Sequence, residues 1–160
     1  MRSRLSNRST LVLLAAGGSL ALLAGAFLFQ AFGYLPCKMC LWQRWPHAAA
    51  ILIGGVALMT RGPLLPLAGG VAAATTAGIG IYHAGVEQKW WLGPASCTSA
   101  GGLDGLSGGD LLSMEGPALI LCDQISWSMF GLSMAAWNAV FSAVLVVIWL
   151  LAARASIRRA

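Results

Sequence analysis

The chain has 160 residues, of which 58% are hydrophobic and only 9% charged. A soluble domain carries roughly 25% charged residues, so this chain cannot cover a water-facing surface in the usual way; a soluble globular enzyme, an acidic disordered chain and a collagen-like fibre are excluded. The net charge is +5, but the bases sit mostly at the chain ends and form no patch or stripe, which argues against nucleic acid as a partner. What remains is an integral membrane protein.

A membrane helix needs about 20 mostly apolar residues. Four charge-poor stretches meet or approach that length, over residues 11–32, 41–60, 64–86 and 127–152. In lipid every backbone polar group must be satisfied within its own segment, and period-two alternation is absent, so these spans are expected to be helices of one all-α, four-helix membrane domain covering residues 1–160. The first runs through Leu11 to Phe29. A short loop, residues 33–44, leads to the second, which leaves Arg44 at the interface. Arg61-Gly62-Pro63 is a tight, helix-breaking turn into the third span. A long loop, residues 87–123, rich in Gly and Ser, leads to the fourth, which begins at Trp127. Leu111, Leu112, Met114, Leu119, Ile120 and Leu121 give this loop an apolar side suited to the membrane surface. The glycines at 17, 18, 25, 54, 55, 69, 70, 78 and 80 are expected to serve close helix packing.

Orientation follows from the distribution of bases. Arg2, Arg4, Arg8, Arg61, Arg154, Arg158 and Arg159 fall on one side with no acid. Lys38, Arg44 and Lys89 fall on the other with Glu87, Asp104, Asp110, Glu115 and Asp123. Both termini are therefore expected in the cytoplasm and both larger loops outside. Trp42, Trp45, Trp90, Trp91 and Trp127 lie near the outer helix ends, as an aromatic belt requires. Arg2, Arg4 and Arg8 ahead of an apolar run also resemble a signal peptide with Ala24-Gly25-Ala26 as its cleavage site, but the run continues through Phe29 and Phe32, which suits a spanning helix better.

The four cysteines, Cys37, Cys40, Cys97 and Cys122, all fall on the outer side, where thiols are oxidised. Cys37-Lys38-Met39-Cys40 is a C-x-x-C, the spacing of thiol–disulfide oxidoreductases. Cys97 and Cys122 flank a Gly-rich segment and read as a flexible, exposed pair. Two structural disulfides and a four-cysteine zinc site are the competing readings; the second lacks another C-x-x-C, and no metal is expected. Redox chemistry is favoured locally. Cys40 is placed just ahead of the second helix, where free N–H groups stabilise a thiolate, and Arg44 stands one turn away on the same face. Electrons collected here need an exit. No C-x-x-C-H haem motif and no dinucleotide fingerprint is present, which leaves an acceptor dissolved in the membrane, such as a quinone.

Pro36-Cys37-Lys38-Met39-Cys40-Leu41-Trp42-Gln43-Arg44 resembles the C-x-x-C-x-x-[QE]-R signature of the disulfide bond formation protein B family, DsbB. The stretch from Cys122-Asp123-Gln124 through Gly131-Leu132-Ser133-Met134 to Trp137-Asn138 is also similar to that family, and the resemblance spans essentially the whole chain. It implies a protein dithiol:quinone oxidoreductase of the bacterial inner membrane. Such a protein reoxidises a periplasmic DsbA-like thiol oxidase and feeds the quinone pool, ubiquinone ahead of menaquinone. The resemblance also assigns roles. Cys97–Cys122 is the disulfide offered to the partner, with Cys97 forming the mixed disulfide. Cys122 then exchanges with Cys37, and Cys40 is the thiolate facing the quinone. Arg44 holds the quinone, and His83 is a second quinone-side residue. His47 could face the quinone as well, without support from its position. The vitamin K epoxide reductase type is a related architecture, but its loop cysteines precede the C-x-x-C, the reverse of the order here. The non-enzymatic alternative is a tetraspan structural or interaction protein with two structural disulfides.

Overall fold

The computed structural model describes residues 2–98 and 121–158. Among the described residues four helices carry the fold: α1 (Arg2–Ala31), α2 (Lys38–Met59), α3 (Leu64–Glu87) and α4 (Met134–Ile157). A two-stranded antiparallel hairpin, β1 (Ser128–Met129) and β2 (Leu132–Ser133), precedes α4. By length and composition α1, α3 and α4 are long and apolar enough to cross a membrane. The N-terminal half of α2 is more polar, with Lys38, Gln43, Arg44, Pro46 and His47. The helix packs against both α1 and α3, while α4 packs against α1 and α3.

The bundle has an apolar core around Val12, Leu145 and Trp149, but it also wears apolar side chains on its outside and buries polar ones. Leu13, Leu20, Phe27, Leu52, Val71 and Val144 are more than half exposed on the outside, whereas Ser19, Gln43, His47, Thr76, His83 and Ser142 are buried inside. Without a hydrophobic drive between helices, small residues and interhelical hydrogen bonds hold such a bundle together. Trp149 is the largest fully buried side chain, and Gly69 and Gly70 make room for it; a Cβ on Gly69 would stand 2.6 Å from its indole ring. Gly18 faces Leu145, Gly54 faces Ala16 and Gly80 faces Ala135 and Ala139. Gly17, Gly25, Gly55 and Gly78 have open space where a Cβ would be, so close packing does not require them.

Two helix starts differ from the sequence expectation. α2 begins at Lys38 instead of Leu41, because the Cys37 sulfur caps it, accepting the Cys40 amide at 3.2 Å. α4 begins at Met134 instead of Trp127. Phe130 and Gly131 both have positive φ (51° and 78°), the backbone of a tight hairpin turn. Ser133 then caps α4 by accepting the Ala136 amide. At the other end of the bundle Arg8 is 4% exposed. Its guanidinium donates to Ser156 Oγ at 2.8 Å, to Ala57 O at 3.0 Å and to Gly62 O at 3.4 Å, so it clamps α1, α2, α4 and the α2–α3 turn. Of the loop residues expected to lie on the membrane, Leu111, Leu112, Met114, Leu119 and Ile120 are outside the described residues; Leu121 is within them.

Candidate functional site

The N-terminus of α2 and the last turns of α3 meet at one end of the bundle. Cys37 caps α2 and Cys40 lies in its first turn, which brings the two sulfurs to 2.8 Å, both as free thiols. Past α3, Lys89 takes positive φ and turns the chain back. The Trp91 ring stacks on Tyr82 and covers Gly85, its indole N–H donating to Tyr82 O, and Tyr82 in turn donates to Leu92 O. This fold-back carries Cys97 onto α3, where it forms a disulfide with Cys122 at a Cα–Cα distance of 5.3 Å, well within the span a disulfide bridges. Lys89 Nζ donates to both the main-chain oxygen and the carboxylate of Asp123, each at 2.8 Å, and so ties down the residue after Cys122.

The sequence reading of Cys97 and Cys122 as an exposed pair is corrected here. Cys97 is 6% exposed and Cys122 fully buried. Both pack in one apolar cluster with Cys37, Met39 and Val86, against which Cys40 also rests. Two pairs that sequence separates by more than fifty residues are thus neighbours.

Cys37 is the better-stabilised sulfur of its pair, which also corrects the placement of the helix terminus at Cys40. The hydrogen bond from the Cys40 thiol is the largest influence on it. Burial opposes ionisation, but the Cys40 thiol, joined by His83 Nε2 at 3.5 Å and the Cys40 amide, holds the Cys37 thiol down to about 4. A thiolate that accepts several donors at a helix start behaves this way.

His83 is 2% exposed and belongs to a hydrogen-bonded chain that sequence reasoning did not single out. Its Nδ1 lies 2.9 Å from the Gln43 amide nitrogen. Gln43 Oε1 accepts from Asn138 Nδ2 at 2.7 Å, Asn138 Nδ2 also donates to Thr76 Oγ1 at 3.1 Å, and Asn138 Oδ1 meets His47 Nε2 at 2.9 Å. On the other side of His83, Glu87 Oε1 stands 3.8 Å from Nε2, and Ser133 donates to the same carboxylate. The available signal was polar side chains within apolar spans, such as Thr76 and Asn138, which are costly in lipid and mark functional positions.

A cavity of about 330 Å³ opens beside this cluster. Phe29, Cys40, Arg44, His47, Trp137 and Phe141 are among its walls. Arg44 is anchored to α1: Nη1 donates to Gln30 Oε1 at 2.7 Å, Nη2 to Ala26 O at 3.3 Å, and its guanidinium carbon lies 4.7 Å from the Phe27 ring centre. Its buried Nε, like His47 Nδ1, has no hydrogen-bond partner among the described residues. Both ring nitrogens of His83 are engaged by the protein, so the residue forms cavity wall without a free nitrogen.

The sequence matches the family model for disulfide bond formation protein DsbB over residues 7–152. It is 32% identical to disulfide bond formation protein B of Azoarcus sp. (strain BH72), over 92% of this chain and 95% of the relative. It is 32% identical to the protein of that name from Dechloromonas aromatica (strain RCB), over 81% and 82%, and 29% identical to that of Verminephrobacter eiseniae (strain EF01-2), over 86% and 81%. No solved structure matches the chain significantly. With both cysteine pairs gathered at one end of an apolar helical bundle, the chain belongs to the disulfide bond formation protein B family of membrane oxidoreductases.

Proposed function

We propose that this chain is a dithiol:quinone oxidoreductase of the bacterial inner membrane that reoxidises a periplasmic DsbA-like thiol oxidase. In this reading α2 completes four spans, both termini are cytoplasmic, and the cysteine cluster faces the periplasm. The observation that carries the reading is the contiguity of the two pairs with the cavity. Cys97–Cys122 packs on Cys37, and Cys40 is at once Cys37's partner and a cavity wall.

A quinone fits the cavity, because its walls are mostly apolar and the Arg44 Nε–H is a buried donor awaiting an acceptor such as a ring carbonyl. When bound, a quinone supplies a two-electron, two-proton acceptor. The chain's own residues do the rest. Cys97–Cys122 takes the electrons of the partner's dithiol by exchange, with Cys97 joined to the partner in the mixed disulfide. Cys122 then exchanges with Cys37, and Cys40 is released as the sulfur on the cavity wall. A stabilised Cys37 thiolate favours the reduced form of its pair and makes that pair a stronger oxidant, the direction this transfer needs. Arg44 holds the acceptor and balances negative charge arising near it.

The burial of Cys97 and Cys122 is also what a purely structural staple would have. One assay separates the readings. Purified protein mixed anaerobically with a reduced thioredoxin-fold dithiol partner is expected to consume ubiquinone-1 stoichiometrically, and Cys40→Ser is expected to abolish turnover while preserving helicity. Absence of quinone consumption by the wild type with every dithiol partner tried would leave the structural reading.

A further inference from the structure

Backbone carbonyls only accept hydrogen bonds, and two of them set the direction of the bonds at Gln43 and Thr76. Gln43's amide nitrogen lies 3.3 Å from Met39 O, so this end of the side chain is the NH2 group. The same nitrogen lies 2.9 Å from His83 Nδ1, which must therefore accept. A second carbonyl gives the same answer. Thr76 Oγ1 donates to Gln43 O at 3.2 Å, so it accepts from Asn138 Nδ2, and that group's second hydrogen goes to Gln43 Oε1 at 2.7 Å. Gln43's oxygen is thereby turned away from His83. The neutral His83 ring carries its proton on Nε2.

That N–H points at the cysteines. Nε2 lies 3.5 Å from Cys37 Sγ and 3.8 Å from Glu87 Oε1. His83 thus touches Cys37, which itself packs in one cluster with Cys97 and Cys122. The charged and titratable groups around it are Cys37 and Cys40 from the start of α2 and Glu87 from its own helix; from the α4 side the approaching group is the Ser133 hydroxyl, which holds Glu87. Arg44 is drawn the other way, onto α1.

We propose that His83 is a catalytic residue of the disulfide exchange between the two pairs, its Nε2–H receiving the negative charge on Cys37 Sγ, with Glu87 and Gln43 fixing its tautomer and orientation. The inference rests on reading the four cysteines as one redox centre. It moves His83 from the quinone to the thiol chemistry.

With the loop pair reduced and Cys37–Cys40 oxidised, the Cys122 thiolate attacks Cys37 Sγ. The Cys122–Cys37 bond forms, the Cys37–Cys40 bond breaks, and Cys40 leaves with the electron pair. The Cys97 thiolate then attacks Cys122 Sγ, Cys97–Cys122 closes, and Cys37 leaves as a thiolate onto the His83 N–H. Of the two thiol protons, one ends on Cys40 and the other is released to the outer aqueous side. Two electrons have moved from the loop pair to the C-x-x-C. Cys37 is the leaving sulfur of the second step. A leaving thiol with a more stable thiolate departs faster, so His83 acts on this step.

The test uses the full chain in nanodiscs with Cys97→Ala and Cys122→Ala, so that Cys37 and Cys40 are the only thiols. Thiolate ultraviolet absorbance is followed against pH, with His83 native, His83→Ala or His83→Gln. Because a hydrogen bond to a charged group is lost, His83→Ala is expected to cut the thiolate-to-thiol ratio between about tenfold and about a hundredfold at a given acid pH. His83→Gln, whose amide can reach the position of Nε2, should restore part of it. Ubiquinone-1 affinity, read by tryptophan quenching, should fall by less than the thiolate ratio does, because His83 gives the cavity wall surface and no free nitrogen. An unmoved thiolate titration overturns the proposal, and one accompanied by lost quinone affinity returns His83 to the quinone. If His83→Ala does not fold, His83→Leu and His83→Phe, which offer no donor, carry the same comparison, and an unmoved titration in both is again a refutation. The titration needs neither partner nor turnover, so its failure leaves the oxidoreductase reading standing, and failed quinone consumption leaves the His83–Cys37 link standing.

Discussion

The Cys37 environment makes a quantitative prediction about the pH dependence of alkylation. An ordinary thiol titrates near 9.0, and the Cys40 hydrogen bond, His83 and the Cys40 amide hold Cys37 down to about 4 against the opposing effect of burial. At pH 6 Cys37 is then almost wholly thiolate, whereas an ordinary thiol is ionised to about one part in a thousand. Nucleophilicity falls along with basicity, with a slope of about 0.4–0.5, so a shift of this size lowers the reactivity of each thiolate by about two orders of magnitude. The two effects together leave Cys37 about fivefold faster than an ordinary thiol at pH 6, about a hundredfold slower at pH 9, and equal to it near pH 7. The measurement is the rate of reaction with iodoacetamide on the reduced protein lacking the loop pair, from pH 3 to pH 10. A membrane-impermeable reference thiol peptide is carried in the same tube to cancel reagent effects. The expected profile rises through about 4 and is flat above it. A profile that keeps rising to pH 8 or 9 would refute the reasoning, and the capping geometry at Cys37 would then have no bearing on its ionisation. Stability follows the same sign. The folded value lies below the unfolded one, so the unfolded chain binds more protons between them. The reduced fold is therefore expected to gain stability as pH rises from about 4 toward 9.0 and to lose that contribution as pH falls back through about 4.

Three further outcomes are expected. Arg44→Gln removes the buried, unpartnered Nε–H and the tie to Gln30; the KM for ubiquinone-1 should rise about tenfold or more, with the Cys37 titration unchanged, as checked by initial rates and thiolate absorbance. Gly69→Ala sets a Cβ 2.6 Å from the Trp149 indole. Overpacking of this kind costs about 1–3 kcal/mol, to be seen as a lower melting temperature in detergent, whereas Gly55→Ala, at a position with open space, should leave it unchanged. Arg8→Met removes three hydrogen bonds at the opposite end of the bundle. It should lower unfolding stability by about 1–3 kcal/mol while leaving the Cys37 titration and turnover per folded molecule at wild-type values.

The division between chain and fold runs along physical lines. Low charge density and long apolar runs determine a membrane-type helical chain before any contact is known, because backbone in lipid has no partner but itself. The C-x-x-C spacing likewise determines that Cys37 and Cys40 are neighbours, since residues three apart at a helix start lie nearly one turn of about 3.6 residues apart. Helix starts were legible only to within a few residues. What moved them was a sulfur acting as a cap at Cys37 and a left-handed turn at Phe130-Gly131, and neither shows in hydropathy. Arg8 was counted as one cytoplasmic base among seven, yet it is buried and clamps three helices. Tertiary structure alone decided that Cys97–Cys122 is buried against Cys37, because the Lys89 turn and the Tyr82–Trp91 stack fold the segment after α3 back onto that helix. It alone decided which way His83 faces. Gln43 on α2, Thr76 on α3 and Asn138 on α4 are far apart in sequence, and only when the helices pack do their amides and hydroxyl meet and fix the proton on the nitrogen beside Cys37. A sequence lists donors and acceptors, and the direction of a hydrogen bond exists only once both partners have a place.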